Sequence, residues 1–463
     1  MAAFEALLCE AGVPFRTQGS ADFNELLSNY SGNHLDGKPA IITVPETEQH
    51  VAAIVSGCVA SNMEFVVRGG GHDAFGRSTV ANGVTIDLRR LSSVTVSHDL
   101  KSACIGGGAT SVQVLAALAP KGLQVPFGTC GAVGYAGWCL VAGFGPLMHS
   151  YGIGTDQIVG ARVVTAEGKV VRADHDMLKG LRGGGANLGV VVELTTKVYH
   201  LEKIQAGMLM FESTDIESTV KTFFTNYAKL FTPDMTLPRK MYTMPVIVTP
   251  SGSKPTLCCF IVYNGTANDE SRTWIDRIAG LAALMPGTPP AEAAITPTSA
   301  LDFTRLLMEK FENMKRLNGR SQAASVARWS PEVITTLAQR ATHIPPGSTA
   351  GILVQQMRAD CPSVGSEVPE SICPYRQPQI ALEVLGTGPP GDVATSAMAW
   401  ALDTRNKLME LPDAMKSTYV ATTSPECLNV PDTFGDNLQE LKRLKRKYDP
   451  NGIFKNTIPR LAD

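Results

Sequence analysis

Three short stretches of this chain set reactive side chains beside unusually bare backbone or inside apolar surroundings. Arg68-Gly-Gly-Gly-His72 follows the apolar run Phe65–Val67, which reads as a strand. Consecutive glycines let main-chain N–H groups converge on an anion such as a phosphate, and His72 offers an imidazole to whatever is held there. The stretch is no Walker loop, because no Gly-Lys-Ser/Thr follows, and it lacks the G-x-G-x-x-G spacing of a Rossmann fingerprint. Gly128-Thr-Cys130-Gly-Ala-Val133-Gly134 places a thiol among glycines, whose amides would favour the thiolate. Ala381-Leu-Glu383-Val-Leu385 puts one carboxylate in an apolar strand, which costs stability unless the group is paired or used. Each has a plain alternative: a tight turn with a packed histidine, a buried thiol, a glutamate facing solvent at a sheet edge or paired with an arginine.

The elements that must position these groups follow from periodicity. Ala40–Val44, Phe65–Val67, Val84–Leu88, Ser93–Val96 and Ser102–Ile105 read as strands, with helices over Thr47–Ser61 and Ser111–Ala119. Glycine clusters recur from Arg68 to Gly189, at Gly69–Gly71, Gly106–Gly108, Gly128 to Gly145 and Gly183–Gly185. From about residue 201 the texture changes. Longer strands are expected at Gly207–Phe211, Met241–Val248, Leu257–Tyr263, Gly351–Met357 and Gln379–Leu385, forming a mainly antiparallel sheet with helices on one face. Those helices include Asp215–Leu230, Ser330–Ala341 with Ser330 as N-cap, and Gly391–Met409. Asp436–Tyr448, stopped by Pro450, is a final helix expected to return to the first domain. The class is α+β.

In this order the segments resemble the berberine-bridge-enzyme-like FAD oxidases of the vanillyl-alcohol-oxidase superfamily, with its PCMH-type FAD-binding domain. The motifs are Arg68–His72, Gly128–Gly134, Gly143-Phe-Gly145, Tyr151-Gly-Ile-Gly-Thr-Asp156, Arg182-Gly-Gly-Gly-Ala-Asn187-Leu-Gly189-Val-Val191, Phe434-Gly-Asp-Asn437 and Tyr448-Asp-Pro450. The resemblance implies FAD as cofactor, joined at its 8α carbon to His72 and at C6 to Cys130. It further implies that Arg68, Gly69, Gly70, Gly71, Asp73 and Gly76 hold the diphosphate. Val133 would gate oxygen, Gly134, Gly137 and Gly143 would line the cofactor, and Asn187, Gly189 and Val191 would line its adenosine side. The expected division is an FAD-binding domain over 1–200 and 418–463, with a substrate domain inserted at 201–417. The sequence departs from the family pattern at Lys179, where a tryptophan is usual, at His149 (arginine) and at Phe434 (tyrosine). A phenylalanine cannot relay a proton, so another base is needed.

The expected chemistry is hydride removal from a bulky, largely apolar small molecule of secondary metabolism, with dioxygen as acceptor. Glu383 is the first candidate base, Tyr242 and Tyr263 are weaker ones, and Asn437 would contact flavin or substrate. Met208, Met210, Met241, Met244 and Met357 suggest either an adaptable apolar pocket or simple core packing. Redox-neutral isomerisation or cyclisation on the same fold, and a dehydrogenase with another acceptor, are the rival readings. The 463 residues carry a formal charge of −2, giving no electrostatic reason to expect nucleic acid or a membrane surface as partner. No metal site is expected, since the ten cysteines show no zinc spacing. Without a leader or apolar span the expectation is cytoplasmic, with reduced thiols. Cys361 and Cys373 would pair only if that fails, and the sequons at Asn29 and Asn264 would matter only then. Nothing in the sequence addresses oligomeric state.

Overall fold

The computed structural model describes residues 1–28, 37–200, 203–232, 235–249, 253–310, 317–365 and 368–461; the sequon at Asn29 lies outside them. A four-stranded sheet has the order Phe15–Thr17, Ile41–Thr43, Val84–Asp87, Phe65–Arg68, of which the last three are parallel. A five-stranded antiparallel sheet follows, ordered Val94–Val96, Ser102–Gly106, Val190–Lys197, Ile158–Val164, Val170–Arg172. The helix Glu48–Ala60 joins them: Val51, Ile54 and Val55 share one core with Ile41, Val84 and Ile86 of the first sheet and Val164, Val190 and Val192 of the second. Its start is fixed by Thr47, whose side chain accepts from the His50 amide. The other face of the second sheet packs on helices Ser111–Leu118 and Tyr135–Val141. The last helix, Asn437–Tyr448, adds Leu438, Leu441 and Leu444 to the same core. Of its basic residues, Arg443 and Lys447 lie outward in ion pairs with Asp176, while Lys445 turns inward to Asp449.

The middle of the chain forms a seven-stranded antiparallel sheet. Its order is Ile295–Thr298, Ile204–Met210, Thr256–Asn264, Met241–Val248, Gly351–Met357, Gln379–Gly388, Asn318–Val326. Alternation gives this sheet two different faces. Ile247, Ile261, Ile352, Leu382 and Val384 point to one side, where helices Ile216–Ala228, Pro331–Thr342 and Asp392–Met409 cover them. Met244, Val246, Phe260 and Met357 point to the other, against Ala142, Phe144 and Met148. The edge strand Asn318–Val326 escapes a sequence reading, because its Gly319, Arg320, Ser321 and Gln322 break the apolar alternation. The sequon at Asn264 fails as an acceptor: Asn264 is buried at the end of a strand. Cys361 and Cys373 share a core as thiols. Among the described residues no helix is long and apolar enough to cross a membrane, and no group of His, Cys, Asp or Glu is arranged to hold a metal.

Candidate active site

The two glycine turns touch through their backbones. A methyl group on Gly70 would stand 2.4 Å from the Gly134 nitrogen, and one on Gly134 would stand 2.4 Å from the Gly70 nitrogen. Only glycine at both positions permits this approach, and it sets the His72 turn beside the Cys130 turn. The cysteine turn is anchored below by Ser111 N–H to Val133 O (2.9 Å) and Val112 N–H to Gly131 O (3.0 Å). Above, Gly131 lies against Thr304 and Met308, and the Thr129 hydroxyl meets Met244 Sδ at 4.0 Å. The turn therefore stands where the first sheets meet the middle one. His72, Asp73, Ala74, Thr129, Cys130, Ala132 and Val133 are all half-buried. Gly137 is exposed in a helix whose six other residues are buried, and an added Cβ there meets nothing within 4 Å. A floor of bare main chain beside an imidazole and a thiol suits the flat ring and diphosphate of FAD. Burial pushes the His72 imidazole down to about 4, so it is neutral at physiological pH.

Several residues expected at the cofactor face protein instead. The Arg68 guanidinium is buried, 2.6 Å from Asp87, and donates to the carbonyls of Leu26 and Leu27. It ties the helix Phe23–Leu27 to the first sheet and has no reach left for a diphosphate. Replacing it with methionine leaves the buried Asp87 carboxylate to Arg89 alone. The expected loss of stability is about 3 kcal/mol by denaturant titration, with the flavin content of the folded fraction unchanged. A diphosphate ligand would lose flavin first. Asn187 donates from its side chain to Gly184 O (2.7 Å) and Pro459 O (3.0 Å), clamping the carboxy-terminal segment. Gly143 packs on Gly154, Gly189 on Val163, and Val191 is a core residue of its strand. Gly76 closes a turn through Thr79. Asp73 accepts from the amides of Phe75 and Arg77 and from the Arg77 side chain, so it shapes the turn.

Glu383 stands on the sheet face turned toward Phe144 and away from the helices, between Leu353 and Ala323 in register. Desolvation pushes its carboxyl up to about 7. Among the described residues no arginine or lysine pairs with it. Tyr242 shares this face, with its hydroxyl 3.4 Å from Gln355 Oε1 and its ring beside His149. It lies two strands over and four residues along, about 16 Å from Glu383 between Cα atoms, so the two cannot serve the same proton. Tyr263 is a correction. It is in register with Met241 and so faces the helix side, where its hydroxyl donates to Glu270 (2.9 Å) and accepts from Asn268 (3.2 Å). Asn437 opens the last helix and borders a surface recess with Lys179, Glu370 and Arg376. Met208, Met210, Met244 and Met357 line the Glu383 face, whereas Met241 faces the helices.

Tyr419 is the residue that sequence reasoning missed. It packs on Phe144 (ring centroids 4.9 Å) and Tyr375 (5.8 Å), and the Glu383 carboxylate raises its phenol further above an already buried value. It belongs to an irregular stretch before the last helices, with no periodicity to mark it.

The chain matches the FAD binding domain model over residues 39–174 and the model described as berberine and berberine like over residues 429–458. It is 27% identical over 445 residues to the FAD-linked oxidoreductase aurO of Gibberella zeae, covering 95% of this chain and 84% of the relative. It is 33% identical over 192 residues to (R)-6-hydroxynicotine oxidase of Paenarthrobacter nicotinovorans, 40% of this chain and 42% of that one. Among solved structures, glucooligosaccharide oxidase from Acremonium strictum, described with a 6-S-cysteinyl, 8α-N1-histidyl FAD, superposes with a TM-score of 0.82 at 19% identity. That match covers 97% of each chain.

Proposed function

We propose that the chain belongs to the berberine-bridge-enzyme-like FAD-linked oxidases, on the strength of its two matching segments and its relatives, and that it holds FAD covalently through His72 and Cys130. We propose further that it oxidises a bulky, largely apolar small molecule of secondary metabolism, with dioxygen as electron acceptor. Residues 1–200 with 418–463 would carry the cofactor, and 201–417 the substrate. The carrying observation is the backbone contact of Gly70 with Gly134, which puts the imidazole and the thiol on adjoining turns. FAD bound there supplies a two-electron acceptor.

The chain's own part is to bind, orient and move a proton. Neutral His72 has an unprotonated ring nitrogen, the form that can bond to carbon. Met208, Met210, Val248 and Leu353 give the sheet face an apolar wall that excludes water. Glu383, titrating near neutrality, takes the proton that leaves as the substrate's carbon is oxidised. Tyr419 stands beside it as the polar neighbour that orients a substrate hydroxyl or amine.

The test is to denature the purified protein and read the flavin colour of pellet and supernatant. Yellow is expected in the pellet of the parent, and in the supernatant only when His72→Ala and Cys130→Ser are combined. A colourless pellet from flavin-replete parent overturns the covalent reading. Screening apolar phenols, amines and alcohols for hydrogen peroxide tests the oxidase; turnover with neither peroxide formation nor oxygen uptake would point to redox-neutral use.

A further inference from the structure

The stretch around Tyr419 is held from both sides by side chains that the chemistry above does not use. Tyr375 is buried, and its one hydroxyl straddles Tyr419: it donates to Thr418 O at 2.8 Å and accepts from Val420 N–H at 2.9 Å. Arg77 comes from the other side, out of the turn that begins with His72. Its Nε donates to Asp73 Oδ1 at 2.8 Å, and its Nη atoms reach the carbonyls of Ala421 (2.9 Å), Val420 (3.4 Å) and Thr423 (3.4 Å). One planar guanidinium thus joins the histidine turn to three carbonyls of one backbone stretch more than three hundred residues later. The Tyr375 and Phe144 rings complete the holder, with centroids 5.7 Å apart.

We infer that Arg77 and Tyr375 are positioning residues that fix Tyr419 opposite Glu383 at a set offset from the His72 turn. Neither touches the reacting atoms. Tyr375 sets the backbone angle at Tyr419 by engaging the peptide groups on both its sides, and Arg77 sets the distance to the cofactor turn. The inference rests on the proposed reading of Glu383 as the proton site, since that gives the placement of Tyr419 its purpose.

Two variants test it, because each removes the hydrogen bonds to the stretch and keeps the bulk. Tyr375→Phe keeps the ring and loses the hydroxyl; Arg77→Lys keeps a cation for Asp73 and loses the fork. In Tyr375→Phe, amide exchange of the 418–424 peptide is expected to quicken at least tenfold, while strand 379–388 exchanges as in the parent. Arg77→Lys is expected to show the same pattern with covalent flavin content retained. The second readout is the flavin absorbance against pH. In the parent it should show a transition near 7 that Glu383→Gln abolishes. The groups flanking Glu383 are Leu353, Ala323 and Tyr419, of which only Tyr419 ionises, and it does so far above this range. Loosening the Tyr419 stretch admits water to the carboxyl, so the transition is expected to fall toward ordinary carboxylate values in both variants. Unchanged exchange at 418–424, or an unmoved transition beside quickened exchange, overturns the positioning role. A parent with flavin but no Glu383-dependent transition fails the proton-site reading instead, and a parent without flavin fails the proposed function.

Discussion

Glu383→Gln is expected to lower the rate of substrate oxidation by about 10²- to 10⁴-fold, the usual loss when a positioned base is removed. Binding should change little, since the amide keeps the shape of the carboxyl. The pH dependence has a definite sign. With the carboxyl pushed up to about 7, the parent should gain activity as pH rises through that value, because only the carboxylate accepts a proton. Stability should move the opposite way. A carboxyl with a raised folded-state pKa favours the folded chain fully below its unfolded value, and that contribution is lost as pH rises through the folded one. Glu383→Gln should therefore melt higher than the parent at pH 8 and within about 1 °C of it at pH 5. A variant that is slower and also less stable at pH 8 would mean the carboxyl is a structural anchor. Peroxide release from a substrate found by screening, together with thermal melts at the two pH values, decides it.

Gly134→Ala and Gly137→Ala, three residues apart, are expected to fail in different ways. A methyl on Gly134 would stand 2.4 Å from the Gly70 nitrogen. Neither backbone can yield without parting the two turns, so a loss of about 3 kcal/mol is expected, together with covalent flavin. At Gly137 the added methyl meets no protein atom within 4 Å, and alanine favours a helix interior over glycine by about 1 kcal/mol. The flavin-free protein should then be as stable as the parent or more so. Flavin incorporation should fall at least tenfold, because the methyl stands where the cofactor would lie. Normal flavin loading in Gly137→Ala would move the cofactor off that helix. Absorbance per polypeptide and denaturant titration of the flavin-free proteins provide both readings.

Glycine spacing, strand alternation and capping residues are local properties, and they fixed much of this protein without any structure. Met241–Val248 and Gly351–Met357 form strands over the spans their alternation predicts, and Ser330 caps its helix through the Val333 amide. The FAD-binding character was legible through the family resemblance that the motifs around Gly69–Gly71 and Gly128–Gly134 carry; the bare backbone alone, being costly, showed only that something approaches it closely. What the approach was to could not be read from the chain. Gly70 and Gly134 meet each other, while Gly143, Gly183 and Gly189 meet protein neighbours; a single sequence shows that a side chain is missing but not what fills its place.

The facing of side chains also waited for the tertiary structure. Tyr242 and Tyr263 sit in strands of similar composition, yet register pairs Tyr263 with Met241 and turns it to the helices. Arg68 opens the glycine motif, but a carboxylate 19 residues further along, Asp87, claims its charge. Tyr419 had no periodic signal, because it lies in an irregular stretch whose backbone is bonded by Arg77 and Tyr375, contacts that exist only after distant segments have met. Chemistry that depends on composition and spacing was visible from the start; chemistry that depends on which surfaces face each other was decided by packing.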